Sequence, residues 1–234
     1  MMSQPLGRPM VIGHRGASAT HQENTLEAFV AARQQRADGI ELDVRRSADD
    51  VLVLHHDAHL PDGRLLRDVT ADELPDSIPS LAEALEVVGD LFVNIEIKNS
   101  PTDPDYDAAH GISMAVAGLM ASFDAQDRTL VSSFEMDSIL RIRDIDPTVS
   151  LGWLTWGQAD PTALIGRAAA HQLRSIHPHD LQADRAFVQR AHDAGLAVFV
   201  WTVDDPGRMR ELAEFGVDGI ITNAPEVAVA ALTN

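Results

Sequence analysis

Eight short runs of β-branched and other apolar residues recur along the 234-residue chain, and stretches with helical features separate them. Regular alternation of this kind is typical of a parallel sheet, whose strands are buried on both faces. Eight β–α units in a chain of this length favour a (β/α)8 TIM barrel over an open doubly wound sheet. The predicted strands are 9–13, 39–46, 91–98, 128–134, 149–155, 175–179, 197–203 and 218–223.

No low-complexity tract, linker or internal repeat interrupts the alternation, so we expect a single domain over residues 1–234. The run 51–57 follows the second strand closely and is expected as a short insertion, either an added strand or a loop at the rim. Segment 57–79 lacks clear periodicity and is predicted to be a loop on the face that carries the site.

Two helix starts have recognisable sequence signals. Asn24-Thr25-Leu26-Glu27 matches a capping box, and "SLAEALEVVG" is expected to begin a helix at Ser80 and end it at Gly89.

The charge of the chain limits its partners. It has 18 basic and 36 acidic residues, a net charge of −18. Phosphates would be repelled, which argues against nucleic acid or an anionic membrane surface as the main partner. We therefore expect a small-molecule partner, and an anionic substrate would need local positive charge. The sequence leaves the oligomeric state open.

The chain has no cysteine, which excludes disulfides, thiolate zinc sites and cysteine nucleophiles. This agrees with a reducing compartment, and we expect a cytoplasmic location. The longest apolar stretches, "ISMAVAGLMA" and "LAVFVWTV", are too short to span a bilayer, and "MMSQPLGRPM" lacks the features of a secretory signal.

Polar residues stand at the ends of the first three predicted strands, where a barrel carries its catalytic groups. They are His14 and Arg15 after the first strand, Glu41 and Asp43 in the second, and Glu96 and Lys98 in the third. A spacing of two places each later pair on one face of its strand. Three converging carboxylates repel one another, so we expect a hard divalent cation, Ca²⁺ or Mg²⁺, to be held there. Exposed charges paired with Arg45 or Lys98 are the alternative, which the apolar neighbours in "IELDV" and "NIEIK" disfavour.

Histidines complete this constellation. His14 follows the first strand, while His55 and His56 end the run 51–57, and strand alternation does not decide between these two. Histidine transfers protons near neutral pH, so two of them can serve as general acid and general base. A cation, an arginine and a lysine together suit a phosphate ester whose charge grows in the transition state. The pattern predicts hydrolysis of a phosphodiester.

Several separated motifs resemble the glycerophosphodiester phosphodiesterase family. They are "IGHRGASATHQENTLEAF", "GIELDVRRSADDVLVLHHDAHL", "NIEIK", "VFVWTVDD" and "GVDGIITNAPE", and they lie along most of the chain in strand order. The resemblance implies a TIM barrel that hydrolyses glycerophosphodiesters to sn-glycerol 3-phosphate and an alcohol.

The resemblance also implies roles for individual residues. His14 and His56 correspond to the acid and base, which selects His56 over His55. Attack by the neighbouring glycerol hydroxyl would give a cyclic phosphodiester that water then opens, with the histidine roles reversed in the second step. The remaining correspondences are Glu41, Asp43 and Glu96 as metal ligands, Arg15 and Lys98 near the phosphate, and Trp201 as a wall for the glycerol end.

The sequence departs from the family pattern in three places. "HQENT" lacks the usual proline before "ENT", and "HDAHLPDGRLLRDVT" replaces a longer insertion with an "L-D-R-T-T" run, so the headgroup preference stays open. Asn223 stands where aspartate is common, and we expect a loop or helix-cap substitution without consequence for the mechanism.

Three other functions compete with this prediction. A lysophospholipase D-type lipid phosphodiesterase would use the same site, but acyl chains call for an exposed apolar rim and segment 57–79 is mostly polar. A non-catalytic phosphate-ligand binding protein would have kept the pocket and lost turnover. A metal-dependent sugar isomerase shares the fold but has no need for Arg15 and Lys98.

Overall fold

The computed structural model describes residues 7–157 and 159–233. The expected domain bounds of 1–234 therefore include residues 1–6, 158 and 234, which lie outside the described residues. Within the described part, the strands are β1 Met10–Gly13, β2 Gly39–Arg46, β3 Leu52–Leu54, β4 Phe92–Ile97, β5 Thr129–Ser133, β6 Ser150–Thr155, β7 Ser175–Pro178, β8 Ala197–Val200 and β9 Gly219–Thr222. Eight of them are parallel and close a barrel by pairing in the order β1-β9-β8-β7-β6-β5-β4-β2, with β1 pairing β2.

Helices surround the barrel and bury the outer faces of the strands in one continuous apolar core. The (β/α)8 prediction is confirmed. None of the described helices is long and apolar enough to cross a membrane. The helices are α1 Leu26–Gln34, α2 Leu81–Val88, α3 Gly111–Ser122, α4 Met136–Ile145, α5 Pro161–Ala170, α6 Arg185–Asp193, α7 Pro206–Phe215 and α8 Pro225–Leu232.

The insertion after the second strand takes the form of a hairpin. β3 pairs antiparallel with the end of β2, so of the two forms expected for 51–57 the added strand is the correct one. Segment 57–79 has more structure than the predicted loop, because it contains the 3-10 turns Leu66–Asp68 and Ala71–Glu73. Its apolar side chains pack among themselves and against Val53, in a small cluster separate from the main core.

The two predicted helix starts have different outcomes. Ser80 caps α2 in a capping box with Glu83, and the helix ends at Gly89 as predicted. The capping box predicted at Asn24 is wrong, because Thr25 is the N-cap of α1 and accepts from the Ala28 amide. Asn24 instead adopts a left-handed conformation, with φ of 57°, and its side chain binds the buried Asp43.

The interior of the barrel changes from apolar to polar along its axis. At the amino-terminal end Ile12, Phe199 and Ile221 form a small apolar cluster, and the Phe92 and Phe199 rings stack 6.3 Å apart. The interior also contains buried polar side chains. One is His177, which is 1% exposed and lies with its Nε2 2.8 Å from Ser175 Oγ.

His177 makes folding sensitive to acid. Burial lowers the pKa of His177 to about 3, against 6.5 for an exposed histidine, so the folded protein keeps this ring neutral. As the pH falls below 6.5, the unfolded chain binds a proton at His177 that the folded protein does not bind. The stability that this group contributes is therefore fully present above pH 6.5 and is lost as the pH falls from there towards 3. We expect His177→Gln to flatten the dependence of unfolding free energy on pH by about 1.4 kcal/mol per pH unit between pH 6 and pH 4.

Urea titrations of the wild type and His177→Gln at several pH values in this range measure the effect. Both proteins share the same titrating carboxylates, whose contribution cancels in the difference. Equal slopes for the two proteins would contradict the prediction.

Candidate active site

Three carboxylates meet where the barrel strands end. Glu41 and Asp43 lie on the inward face of β2, and Glu96 lies opposite Asp43 in the register of β4. One oxygen from each carboxylate lies within 4.8 Å of the others. All three side chains are buried, with residue exposures of 2%, 0% and 6%. The structure thus brings together the three residues that the sequence analysis selected as metal ligands.

Basic groups compensate this charge mainly at Asp43. Arg15 Nε lies 2.9 Å from Asp43 Oδ2, and Lys98 Nζ lies 3.0 Å from Asp43 Oδ1 and also contacts Glu96. Burial by itself raises the pKa of Asp43, but the charges of Lys98 and Arg15 outweigh it and hold this pKa well below its usual range. The carboxylate of Asp43 is therefore ionised at neutral pH.

Glu41 and Glu96 have the opposite tendency. Burial, followed by the charges of Asp43 and Glu96, raises the pKa of Glu41 well above its ordinary value. Burial also raises the pKa of Glu96, against the charge of Lys98. Glu41 Oε2 accepts from the Arg15 amide at 2.9 Å, whereas Glu41 Oε1 has no hydrogen-bond partner among the described residues.

The donor set fits a divalent cation. A buried carboxylate oxygen without a partner is costly, and a cation would satisfy Glu41 Oε1 and relieve the repulsion that raises the pKa of Glu41. Carboxylate oxygens are ligands that Mg²⁺ and Ca²⁺ prefer. The three carboxylates could therefore hold such an ion.

A sharp turn after β1 aims backbone groups at the carboxylates. Arg15 and Gly16 have positive φ angles of 54° and 83°. A Cβ on Gly16 would stand 2.6 Å from the carbonyl carbon of Ala28, so this turn packs directly against α1. Because a Cβ does not fit at this position, glycine follows the His14-Arg15 pair. The turn points the Arg15 amide towards Glu41.

His14 is held by an amide. Its Nδ1 lies 2.7 Å from Asn223 Oδ1, while Asn223 Nδ2 donates to Asp204 Oδ2 at 2.7 Å. Because Asp204 fixes the orientation of the amide, His14 donates through Nδ1 and leaves the lone pair of Nε2 available. Burial and the charge of Arg15 lower the pKa of His14, and the bond to Asn223 opposes this shift.

Of the two places expected for Asn223, the loop is correct, because the residue follows the end of β9, and the helix cap is wrong. Ala224, not Asn223, is the N-cap of α8, and no side chain caps that helix. Asn223 contacts one of the two candidate acid–base histidines, so its identity bears on the site. It directly follows β9 and comes two residues after Ile221, which faces the barrel interior, and this spacing is visible in the sequence.

His55 and His56 follow β3 and line one side of an open cavity of about 580 Å³, together with Glu96 and Lys98. His56 Nδ1 lies 2.7 Å from Asp57 Oδ1, and His55 Nδ1 lies 2.8 Å from the Asp57 carbonyl oxygen. After the larger effect of Lys98, a positive charge on His56 also acts to lower the pKa of both Asp43 and Glu96. His56 therefore lies close enough to act electrostatically on two of the three carboxylates.

Aromatic residues form another wall of the barrel mouth. Trp201 donates from Nε1 to the His177 carbonyl at 2.8 Å, and its ring lies 5.5 Å from Phe134 and 5.6 Å from Trp156 between centroids. Phe134 also lines the cavity. We call Phe134, Trp156 and Trp201 the aromatic wall. Of these three residues, only Trp201 is predicted from the sequence.

Asn24 is a further contact that the sequence analysis missed. Its Nδ2 donates to Asp43 Oδ2 at 2.8 Å, and its Oδ1 accepts from the Asp43 amide at 3.1 Å. The capping-box pattern predicted that Asn24 would cap α1, a role that Thr25 has instead. Its position eleven residues after the end of β1 gives no periodicity from which the contact follows.

Fold and site together define a (β/α)8 enzyme of the phosphodiesterase class, with acidic, basic and histidine side chains converging at the carboxyl ends of the strands. Residues 14–227 match the model of the Glycerophosphoryl diester phosphodiesterase family. The chain belongs to this family, which confirms the resemblance and the predicted enzyme class.

Similar proteins of known sequence or structure support this family membership. A glycerophosphodiester phosphodiesterase from Caldanaerobacter subterraneus is 31% identical, over 95% of this chain and 97% of its own length. An Oleispira antarctica phosphodiesterase, solved in complex with the product sn-glycerol-3-phosphate, is 26% identical with a TM-score of 0.86, covering 96% of each chain. A glycerophosphodiester phosphodiesterase from Thermotoga maritima is 29% identical with a TM-score of 0.78, covering 95% of this chain and 97% of that one.

We expect Asn223→Ala to lower the pKa of His14 further below its ordinary value. The bond to Asn223 favours the protonated ring, and its loss leaves only the charge of Asp43 to oppose the lowering of the His14 pKa by burial and Arg15. NMR titration of the His14 ring protons measures the change. Ser18→Ala is the matched control, because Ser18 also donates to Asn223 Oδ1 but leaves the histidine bond in place. An unchanged pKa in Asn223→Ala would contradict the prediction.

Proposed function

We propose that the protein hydrolyses glycerophosphodiesters to sn-glycerol 3-phosphate and an alcohol, in a reaction that requires a divalent cation and two histidines. The observation that carries this proposal is the buried cluster of Glu41, Asp43 and Glu96, with Arg15 and Lys98 beside it. The Oleispira antarctica phosphodiesterase, whose structure contains sn-glycerol-3-phosphate, supports the identity of the product.

The three carboxylates would hold the cation, Ca²⁺ or Mg²⁺, and when bound it would stabilise negative charge on the phosphate. Arg15 and Lys98 would bind phosphate oxygens once the cation has taken over the compensation of Asp43. The proposed metal and phosphate sites therefore share one set of charges. This sharing would allow a strongly acidic protein to accept an anionic substrate.

His14 and His56 would move the protons. The glycerol hydroxyl next to the phosphate loses its proton to one histidine and attacks phosphorus, while the other protonates the departing alkoxide. The product of this step is a cyclic phosphodiester, which water opens with the two roles exchanged. In His14 the Nδ1 bond to Asn223 leaves Nε2 as the atom that takes and returns the proton. Trp201 would form a wall against the glycerol carbons.

A single domain over 1–234 and a cytoplasmic location stay predictions.

The direct test is the release of glycerol 3-phosphate from glycerophosphocholine and glycerophosphoethanolamine, followed with a coupled dehydrogenase. We expect release with Mg²⁺ or Ca²⁺, none with EDTA, and a loss of about 10²- to 10⁴-fold in kcat in His14→Ala and in His56→Ala. Glu41→Gln should weaken the response to the cation, because it removes a charge and preserves the shape.

His171→Ala is the matched control, since His171 lies at the end of α5 and should leave turnover unchanged. Metal-dependent binding of glycerophosphocholine without any release would favour the non-catalytic binding protein. Full turnover in His56→Ala would contradict the assignment of that histidine.

A lysophospholipase D-type activity is the second candidate, and the structure adds an observation in its favour. Segment 57–79 is short and mostly polar, but the aromatic wall supplies an apolar rim on another side of the mouth, with Phe134 41% and Trp156 63% exposed. Such a rim can contact an alkyl chain.

Comparing lysophosphatidylcholine, below its micelle concentration, with glycerophosphocholine separates the two candidates. We expect glycerophosphocholine to be hydrolysed with the higher kcat/KM. In Trp156→Gln, glycerophosphocholine turnover should change by less than about threefold, because this ring lies at the exposed edge of the wall. A preference for the lipid that disappears in Trp156→Gln would instead assign the lipid activity.

A further inference from the structure

Arg45 connects three parts of the cavity wall. It follows Asp43 by two residues on β2, so both lie on one face of the strand, and its side chain is 4% exposed. Its Nε donates to the carbonyl oxygen of His56 at 2.9 Å. Its Nη1 lies 2.8 Å from both carboxylate oxygens of Asp105, and its Nη2 donates to Asp103 at 3.0 Å.

These contacts join segments that are distant in sequence. His56 lies just after β3, whereas Asp103 and Asp105 lie between β4 and α3. Arg45, His56 and Asp103 all line the same cavity. A guanidinium is planar and always charged, so its bonds fix direction as well as distance. The His56 backbone is thereby attached to the barrel strand that carries two of the three carboxylates.

The side-chain contact of His56 does not provide the same anchor. Its Nδ1 contacts Asp57, the next residue of the same segment, whose carboxylate side chain is 74% exposed. That bond orients the ring relative to its own segment but does not fix the segment to the barrel. The His55 amide donates to the Asp43 carbonyl at 3.1 Å and attaches the segment up to His55, and the Arg45 bond to the His56 carbonyl extends this attachment to the peptide of His56 itself.

We propose that Arg45 is a positioning residue that holds the His56 imidazole in place over the carboxylate cluster, with Asp103 and Asp105 fixing the guanidinium. This inference rests on the proposed role of His56. The adjacent Arg46 provides a matched control. It is 27% exposed and pairs with Asp50 and Asp107, so it contacts the same connection between β4 and α3 but not His56.

The first measurement is steady-state hydrolysis of glycerophosphocholine by Arg45→Gln, Arg45→Lys and Arg46→Gln. We expect Arg45→Gln to lower kcat by about 10- to 100-fold with KM within about threefold, because a displaced proton-transfer group costs rate more than binding. Arg45→Lys should recover part of this loss by keeping the charge, and Arg46→Gln should stay within about twofold of the wild type. Equal losses in Arg45→Gln and Arg46→Gln would overturn the proposal.

The decisive measurement repeats Arg45→Gln in a His56→Ala background. If Arg45 acts through His56, the double variant has the same kcat as His56→Ala alone, within about twofold. If the two losses multiply, Arg45 supports the structure generally and the proposal is overturned. Unchanged turnover in His56→Ala alone would instead refute the proposed role of His56, which distinguishes the two failures.

Asp105→Asn continues the test if Arg45→Gln does not fold, which thermal denaturation detects. It weakens the bidentate contact and leaves the Arg45 bond to the His56 carbonyl. A loss of about threefold to tenfold that disappears in the His56→Ala background supports the proposal. A loss that persists in that background overturns it.

Discussion

The mutual repulsion of three buried carboxylates is the constraint on which the rest of the site depends. Glu41, Asp43 and Glu96 place oxygens within 4.8 Å of one another in surroundings that water hardly reaches. A cluster of this kind would destabilise the fold unless positive groups and hydrogen-bond donors surrounded it. Three groups meet this need: the Arg15 amide in the turn after β1, the Lys98 ammonium at the end of β4 and the side-chain amide of Asn24. The charge of the cluster therefore constrains the backbone around it as well as the side chains of the site.

The barrel separates stability from chemistry along its axis. The amino-terminal end of the interior is filled by Ile12, Phe199 and Ile221, while the charged side chains are confined to the opposite end. Parallel strands make this separation possible, because all of their carboxyl ends lie at one rim. The amide of Asn223 and the guanidinium of Arg45 then anchor the two histidine-bearing segments to this rim.

Local patterns were sufficient to predict the barrel and most of the cluster. Strand alternation places Glu41 and Asp43 on one face of β2, and the parallel neighbour β4 brings Glu96 beside them. The position of all three carboxylates therefore follows from the spacing of residues along the strands and from the strand order. The contacts of Asn24, Asn223 and Arg45 could not be predicted in this way. Each depends on side chains that meet across long sequence separations, such as the 209 residues between His14 and Asn223, and periodicity within a segment carries no information about them.

The small apolar cluster in segment 57–79 has an evolutionary consequence. Leu60, Leu66, Val69 and Leu74 pack with Val53 and stay apart from the main core. Residues can therefore be added to or removed from this excursion without repacking the barrel. Since its first residues border the cavity, divergence there can reshape the entrance while the rim that carries the three carboxylates is inherited unchanged.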